Sequence, residues 1–120
     1  MSVFLDQAAF MRACDQTIGT KNDLQFELYV NLIREELDEL EEACTTDDDV
    51  ARLDALIDIM VVTVGAIHSM GANGEGAWNE VMSTNFAKID RETNKVIKRA
   101  DGKVLKPEGW RPPDLAKFVR

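Results

Sequence analysis

The sequence predicts an all-α fold, a bundle of four to five helices with an extended basic C-terminal arm, and three observations lead there. Apolar residues recur at helical spacing in successive segments between Val3 and Ile89, and turn-forming residues separate those segments. From Asp90 onward the periodicity fades, and Thr93-Asn94, Asp101-Gly102, Glu108-Gly109 and Pro112-Pro113 read as turns that admit a short hairpin. With 120 residues, 45% of them hydrophobic and 30% charged, the chain is expected to form one domain. Its expected parts are a helical body over residues 1–90 and a basic arm over 91–120.

The first segment, roughly Val3 to Thr17, places Phe10 and Cys14 on an apolar face, and Gly19 and Asn22 mark the loop after it. The second, about Leu24 to Ala43, separates into three faces on a helical wheel. Phe26, Val30, Ile33, Leu37 and Leu40 form its expected core stripe, and Glu27, Arg34, Asp38 and Glu41 form a solvated one. Glu35, Glu36 and Glu39 fall on a third face, around Leu32.

Thr46 and Asp49 fit a capping pair that opens a third helix, about Val50 to Met70. Asp47, Asp48 and Asp49 suit a first helical turn and are given no chemical role. The third helix is apolar nearly all round, as expected of the central element of a bundle, but Asp54 and Asp58 interrupt it. Gly65 shares the stripe of those aspartates and reads first as a packing glycine. His68 reads as a helix-end residue. Gly71, Asn73 and Gly74 close the helix, and Trp78, Val81 and Met82 set the inner stripe of a fourth, about Glu75 to Ile89.

The net charge of −8 is unevenly spread. Residues 1–87 carry 4 basic against 17 acidic side chains, and residues 88–120 carry 10 against 5. An acidic body of this kind argues against nucleic-acid binding. The longest apolar run, Ile59 to Ile67, falls far short of the roughly 20 residues of a membrane span. The first residues lack a basic flank and carry Asp6, so a cytoplasmic protein is expected. Cys14 and Cys44 are too isolated for a disulfide framework and read as small buried hydrophobes.

Two acidic sets remain, Glu35, Glu36 and Glu39 on one helix and Asp54 and Asp58 on the next. A Glu-Glu-x-x-Glu run alone reads as a surface patch. Asp58, among Leu53, Ile57, Ile59, Val61 and Val62, reverses that reading, because a carboxylate in an apolar helix is costly unless paired or metal-bound. The body offers only Arg12, Lys21, Arg34 and Arg52 as partners. All the candidate ligands are oxygens, which points to Mg²⁺ or Mn²⁺. The ligand such an ion serves best is a polyphosphate, which Lys88, Arg99, Lys103 and Lys106 of the arm can clamp. Trp110 either stacks on a base or anchors the arm. Gln16, Asn22 and Trp78 are open between a base pocket and ordinary packing.

Taken together, Ile33-Arg34-Glu35-Glu36-Leu37-Asp38-Glu39-Leu40, Asp54-Ala55-Leu56-Ile57-Asp58, Ser83-Thr84-Asn85-Phe86-Ala87-Lys88 and the Arg99–Lys106 stretch followed by Pro112-Pro113 resemble one family. This is the MazG-like group of all-α nucleoside triphosphate pyrophosphohydrolases, including phosphoribosyl-ATP pyrophosphatase-like proteins. The resemblance implies metal ligation by Glu36, Glu39 and Asp58, with Glu35 added. The glutamate of the family's second pair would fall at Ala55, and this chain has Asp54 one residue earlier. Asn85 and Lys88 correspond to positions that contact sugar and phosphates, and a homodimer or homotetramer is implied.

The expected activity is Mg²⁺-dependent hydrolysis of a nucleoside triphosphate to monophosphate and pyrophosphate, with Glu36 and Lys88 as catalytic groups. Phosphoribosyl-ATP is the alternative substrate. A non-catalytic helical adaptor is the alternative of another class.

Overall fold

The computed structural model describes residues 2–119; Met1 and Arg120, the outer ends of the two expected parts, lie outside the described residues. The described residues are mostly helical, with four α-helices and one small sheet among them. The helices are α1 (Val3–Ala13), α2 (Asp23–Thr45), α3 (Asp49–Ser69) and α4 (Gly74–Phe86). Strands β1 (Ile89–Asp90) and β2 (Lys95–Val96) pair antiparallel, Ile89 opposite Val96, and a 3-10 turn spans Ala116–Phe118. No helix among the described residues is long and apolar enough to cross a membrane.

The chain divides into two compact units, residues 1–74 with 119–120, and residues 75–118. In the first, α1 and α2 both pack on α3. Met11, Tyr29 and Ala66 form the buried centre, with Ile18, Phe26, Leu32, Ile33 and Val62 against it. Tyr29 lies off the expected stripe of α2 yet is only 4% exposed, whereas Leu37, on that stripe, is 46% exposed. The cause is Gly65 on α3. A Cβ there would come within 2.2 Å of Tyr29 Cε1, so the missing side chain is the socket for the tyrosine ring. The Tyr29 hydroxyl donates to Gln16 Oε1, and burial raises its pKa.

Local chemistry sets the helix boundaries. Ser2 Oγ accepts from Phe4 N and Asn22 Oδ1 from Gln25 N, each at 3.1 Å. The first helix stops at Ala13, short of the expected Thr17, because Cys14 caps it and Asp15 turns left-handed at φ 57°. The loop that follows is fastened by Gln25, whose carboxamide accepts from Thr17 N and donates to Thr17 O, both at 2.8 Å.

Four further expectations are corrected. Thr46 ends α2 and does not open α3; Asp48 is the N-cap, its Oδ1 accepting from Ala51 N at 3.1 Å. The fourth helix ends at Phe86, before Ile89, which enters the hairpin. Cys14 and Cys44 are exposed, each next to a helix end where the chain turns at the surface. Finally, α3 is not enclosed. Leu53, Leu56, Ile57, Met60 and Val61 are exposed, and Ile57, Met60, Val61 and Val64 line a groove of about 230 Å³ with Val3, Asp6 and Gln7 of α1. Two helices packed on α3 leave part of an all-round apolar helix bare.

Candidate functional site

Helices α2 and α3 are joined by the short Thr46–Asp48 connection, which folds them into a helical hairpin. Its register brings one carboxylate oxygen each from Glu36, Glu39 and Asp58 within 4.8 Å of one another. Glu36 and Asp58 are half-buried, and Glu39 is exposed. Glu36 Oε2 is buried and has no hydrogen-bond partner among the described residues. Leaving a buried acceptor unsatisfied costs about 1–3 kcal/mol, and more for a charged group. The Glu36 pKa is accordingly raised, first by burial, then by a hydrogen bond with Glu39 and by the charges of Glu39, Asp58 and Asp54.

Asp54 is exposed, one turn before Asp58, and close enough for its charge to act on Glu36. With Glu39 and Glu42 it lines an open groove between α2 and α3. Glu42 was unassigned from sequence, although its i+3 spacing from Glu39 was a signal. Glu35 is exposed on α2 and lies outside the set of three.

Among the described residues no cation is paired with this charge. Arg52, in the first turn of α3, is committed to Asp47 at 3.0 Å and Asp49 at 3.1 Å. Among the described residues no ion pair reaches Glu36, Glu39 or Asp58. The single histidine is engaged elsewhere: His68 Nε2 donates to Phe4 O at 2.8 Å. An all-oxygen donor set with one buried unsatisfied oxygen fits a hard divalent cation.

In the second unit, Asn85 lies in the last turn of the fourth helix and Lys88 follows that helix. Lys88 Nζ donates to Asn85 Oδ1 at 3.1 Å and stands 5.1 Å from the centroid of the Trp110 ring. Lys106 Nζ stands 4.8 Å from the same ring. Trp110 Nε1 donates to Thr84 O at 2.7 Å, so the indole anchors the arm on α4. Arg99 is held by both oxygens of Asp101, at 3.0 and 2.5 Å, which raises the arginine pKa and lowers that of the aspartate. Lys103 is exposed beyond that pair. Asn22 is the N-cap of α2, and Trp78 is 59% exposed.

Compared with known proteins, residues 10–85 match the model of the phosphoribosyl-ATP pyrophosphohydrolase family, PRA-PH. The match takes in all five site carboxylates and Asn85, and stops before Lys88 and the arm. A search of curated proteins finds no match. The chain belongs to the phosphoribosyl-ATP pyrophosphohydrolase family, a MazG-like all-α group, and is a nucleotide pyrophosphohydrolase, a hydrolase of phosphoric anhydrides.

Proposed function

We propose that the chain hydrolyses a nucleoside triphosphate, deoxynucleotides preferred, to the monophosphate and pyrophosphate, with Mg²⁺ as cofactor and Mn²⁺ able to replace it. The observation that carries this reading is the buried, unsatisfied Glu36 oxygen within a set of three carboxylates. Glu36, Glu39 and Asp58 would hold the ion, and Glu35 and Asp54 extend the acidic ligand set. When bound, the ion supplies charge neutralisation at the phosphates and lowers the pKa of the attacking water.

The remaining work belongs to side chains. Water oxygen bonds to the α-phosphorus while the anhydride bond to the β-phosphate breaks, and pyrophosphate leaves with the bonding pair. Glu36 accepts the water proton through a carboxylate oxygen that is not engaged with the ion. Asn85 and Lys88 bind sugar and phosphate. Lys88 with Arg99, Lys103 and Lys106 stabilises the departing anion, and Trp110 fixes the arm. A homodimer or homotetramer in the cytoplasm is the proposed working form.

The test is incubation with Mg²⁺ or Mn²⁺ and a panel of NTPs, dNTPs and phosphoribosyl-ATP, with products resolved. Metal-dependent release of pyrophosphate and monophosphate from a nucleoside triphosphate supports the reading. Turnover of phosphoribosyl-ATP alone favours the second reading, which the description of the matching family supports. No turnover of any of them by folded, metal-loaded protein overturns both.

A further inference from the structure

We propose that Arg52 is a positioning residue for the carboxylate set: its guanidinium joins the last turn of α2 to the first turn of α3 and so fixes the register in which Glu36, Glu39 and Asp58 meet. The proposal rests on the cation reading above and concerns a residue that, among the described residues, pairs with none of the three acids.

The end of α2 shows why a bridge is needed. The last carbonyls of a helix have no partner within it, and α2 carries no basic residue in its last turn. The short connection satisfies two of them: Glu42 O accepts from Thr46 N at 3.2 Å, and Ala43 O accepts from Asp48 N at 3.3 Å. Cys44 O accepts from Arg52 Nη2 at 3.2 Å, across to the other helix. The same guanidinium meets Asp47, whose backbone is left-handed at φ 53°, and Asp49. One side chain thereby ties the end of α2, the turn and the start of α3.

Two features set this apart from a surface ion pair. The N-terminus of a helix disfavours a cation, so the field of α3 opposes an arginine in its first turn. Arg52 Nε is buried without a hydrogen-bond partner among the described residues, whereas Asp47 and Asp49 are 88% and 93% exposed. The arginine gives up hydration that its partners keep, as a side chain packed across the hairpin must.

The lever is short. Arg52 precedes Asp58 by six residues, about 9 Å along α3, and Cys44 follows Glu39 by five, about 7.5 Å along α2. A slip of one residue between the helices displaces a carboxylate by about 1.5 Å and turns it by about 100°. Mg²⁺ holds its oxygens at about 2.0–2.1 Å in near-octahedral geometry, so such a slip removes a ligand. Arg52 is also a positive charge on the hairpin that carries the acids, and by charge alone it opposes the binding of a second cation. Positioning and charge therefore predict opposite signs when the arginine is removed.

The full-length chain is titrated with Mn²⁺ alone, free ion being read by electron paramagnetic resonance, at a temperature well below each variant's melting midpoint. Arg52→Met keeps the reach of the side chain without its charge or donors. It should raise the Mn²⁺ Kd about tenfold, the low end for loss of a group that supports metal ligands from outside. Arg52→Lys keeps the charge but not the fork, and should recover only part of that loss. Arg34→Met removes a cation of α2 that donates to Asn31, and should leave the Kd unchanged or lower it. Asp47→Asn loosens the bridge from the turn; it should raise the Kd of the otherwise wild-type chain and add nothing in the Arg52→Met background.

A Kd unchanged or lowered in Arg52→Met overturns the proposal, and a lower melting midpoint beside it marks a residue that supports the fold alone. An equal rise in Arg34→Met and Arg52→Met overturns it as well. If Arg52→Met does not fold, Arg52→Lys and Asp47→Asn decide, and an unchanged Kd in both overturns the proposal. A wild-type chain that binds no Mn²⁺ overturns the cation reading and the proposal with it, whereas wild-type binding that is insensitive to residue 52 overturns the proposal alone.

Discussion

Glu36 has one carboxylate oxygen buried without a partner among the described residues, and three other acids near enough to raise its pKa. The folded-state pKa lies above the usual 4.5, so below the unfolded value the carboxyl is protonated in both states and costs nothing. As pH rises through the folded pKa, the fold must hold a charge that burial, Glu39, Asp58 and Asp54 oppose, and stability falls. The metal-free chain should therefore melt at lower temperature as pH rises above 4.5 through that window. Glu36→Gln should flatten the dependence and raise the metal-free melting temperature near neutral pH by a few degrees, measured by calorimetry in chelator. Added Mg²⁺ should raise the wild-type midpoint and leave the Gln variant nearly unmoved. A steeper pH slope in the variant would refute the account. At the same scale, Glu39→Ala or Asp58→Ala should reduce turnover below detection while retaining helical content by circular dichroism; wild-type rates in both would remove these residues from the site.

The hairpin of α2 and α3 positions that chemistry, and the Tyr29 ring fills the space beside Gly65 within it. Gly65→Ala would place a methyl where the ring lies. The side chain cannot retreat into a centre already occupied by Met11 and Ala66, so overpacking should cost about 1–3 kcal/mol. That is a fall in midpoint of about 5–15 °C for a domain of this size. Combining it with Tyr29→Leu should cost less than the sum of the two single changes, because one contact is removed twice. Additive losses would show that the two positions do not share a socket. This pair also marks how far the sequence could be read. Element types and the i, i+3 and i, i+4 spacing of the acids were visible because each depends on one helix alone. Tyr29 was not, since its burial depends on a glycine 36 positions away. Nor could spacing tell which acids converge, because the α2–α3 register decides that Glu36, Glu39 and Asp58 meet while Glu35 stays outside. The cap of α3 was misplaced for a local reason. Three consecutive aspartates compete for it, and the left-handed turn at Asp47, φ 53°, leaves Asp48 extended and next in line.

For the molecule as a whole, the apolar surface left bare on α3 is the strongest physical argument for self-association. Leu53 is 62% exposed, and Leu56, Ile57, Met60 and Val61 are exposed with it, on one helix and beside an apolar groove shared with α1. Large contiguous apolar patches are uncommon on soluble monomers, and a chain of this length buries a smaller share of its surface than a longer one. A second copy supplies a surface of the same composition, and a two-fold contact uses one patch twice. Light scattering at micromolar concentration should accordingly give a homodimer or homotetramer. Met60→Asp should shift the chain toward monomer, because a carboxylate at the centre of an apolar contact loses its hydration without gaining a partner. The variant should retain its helical content, since Met60 is already half in solvent and the Met11, Tyr29, Ala66 centre is untouched. A monomeric wild type, or an oligomer unaffected by Met60→Asp, would mean that this face serves another contact. If turnover falls in step with dissociation, the acidic cluster on the same hairpin requires the assembled form; if the monomer keeps full activity, each chain carries a complete site.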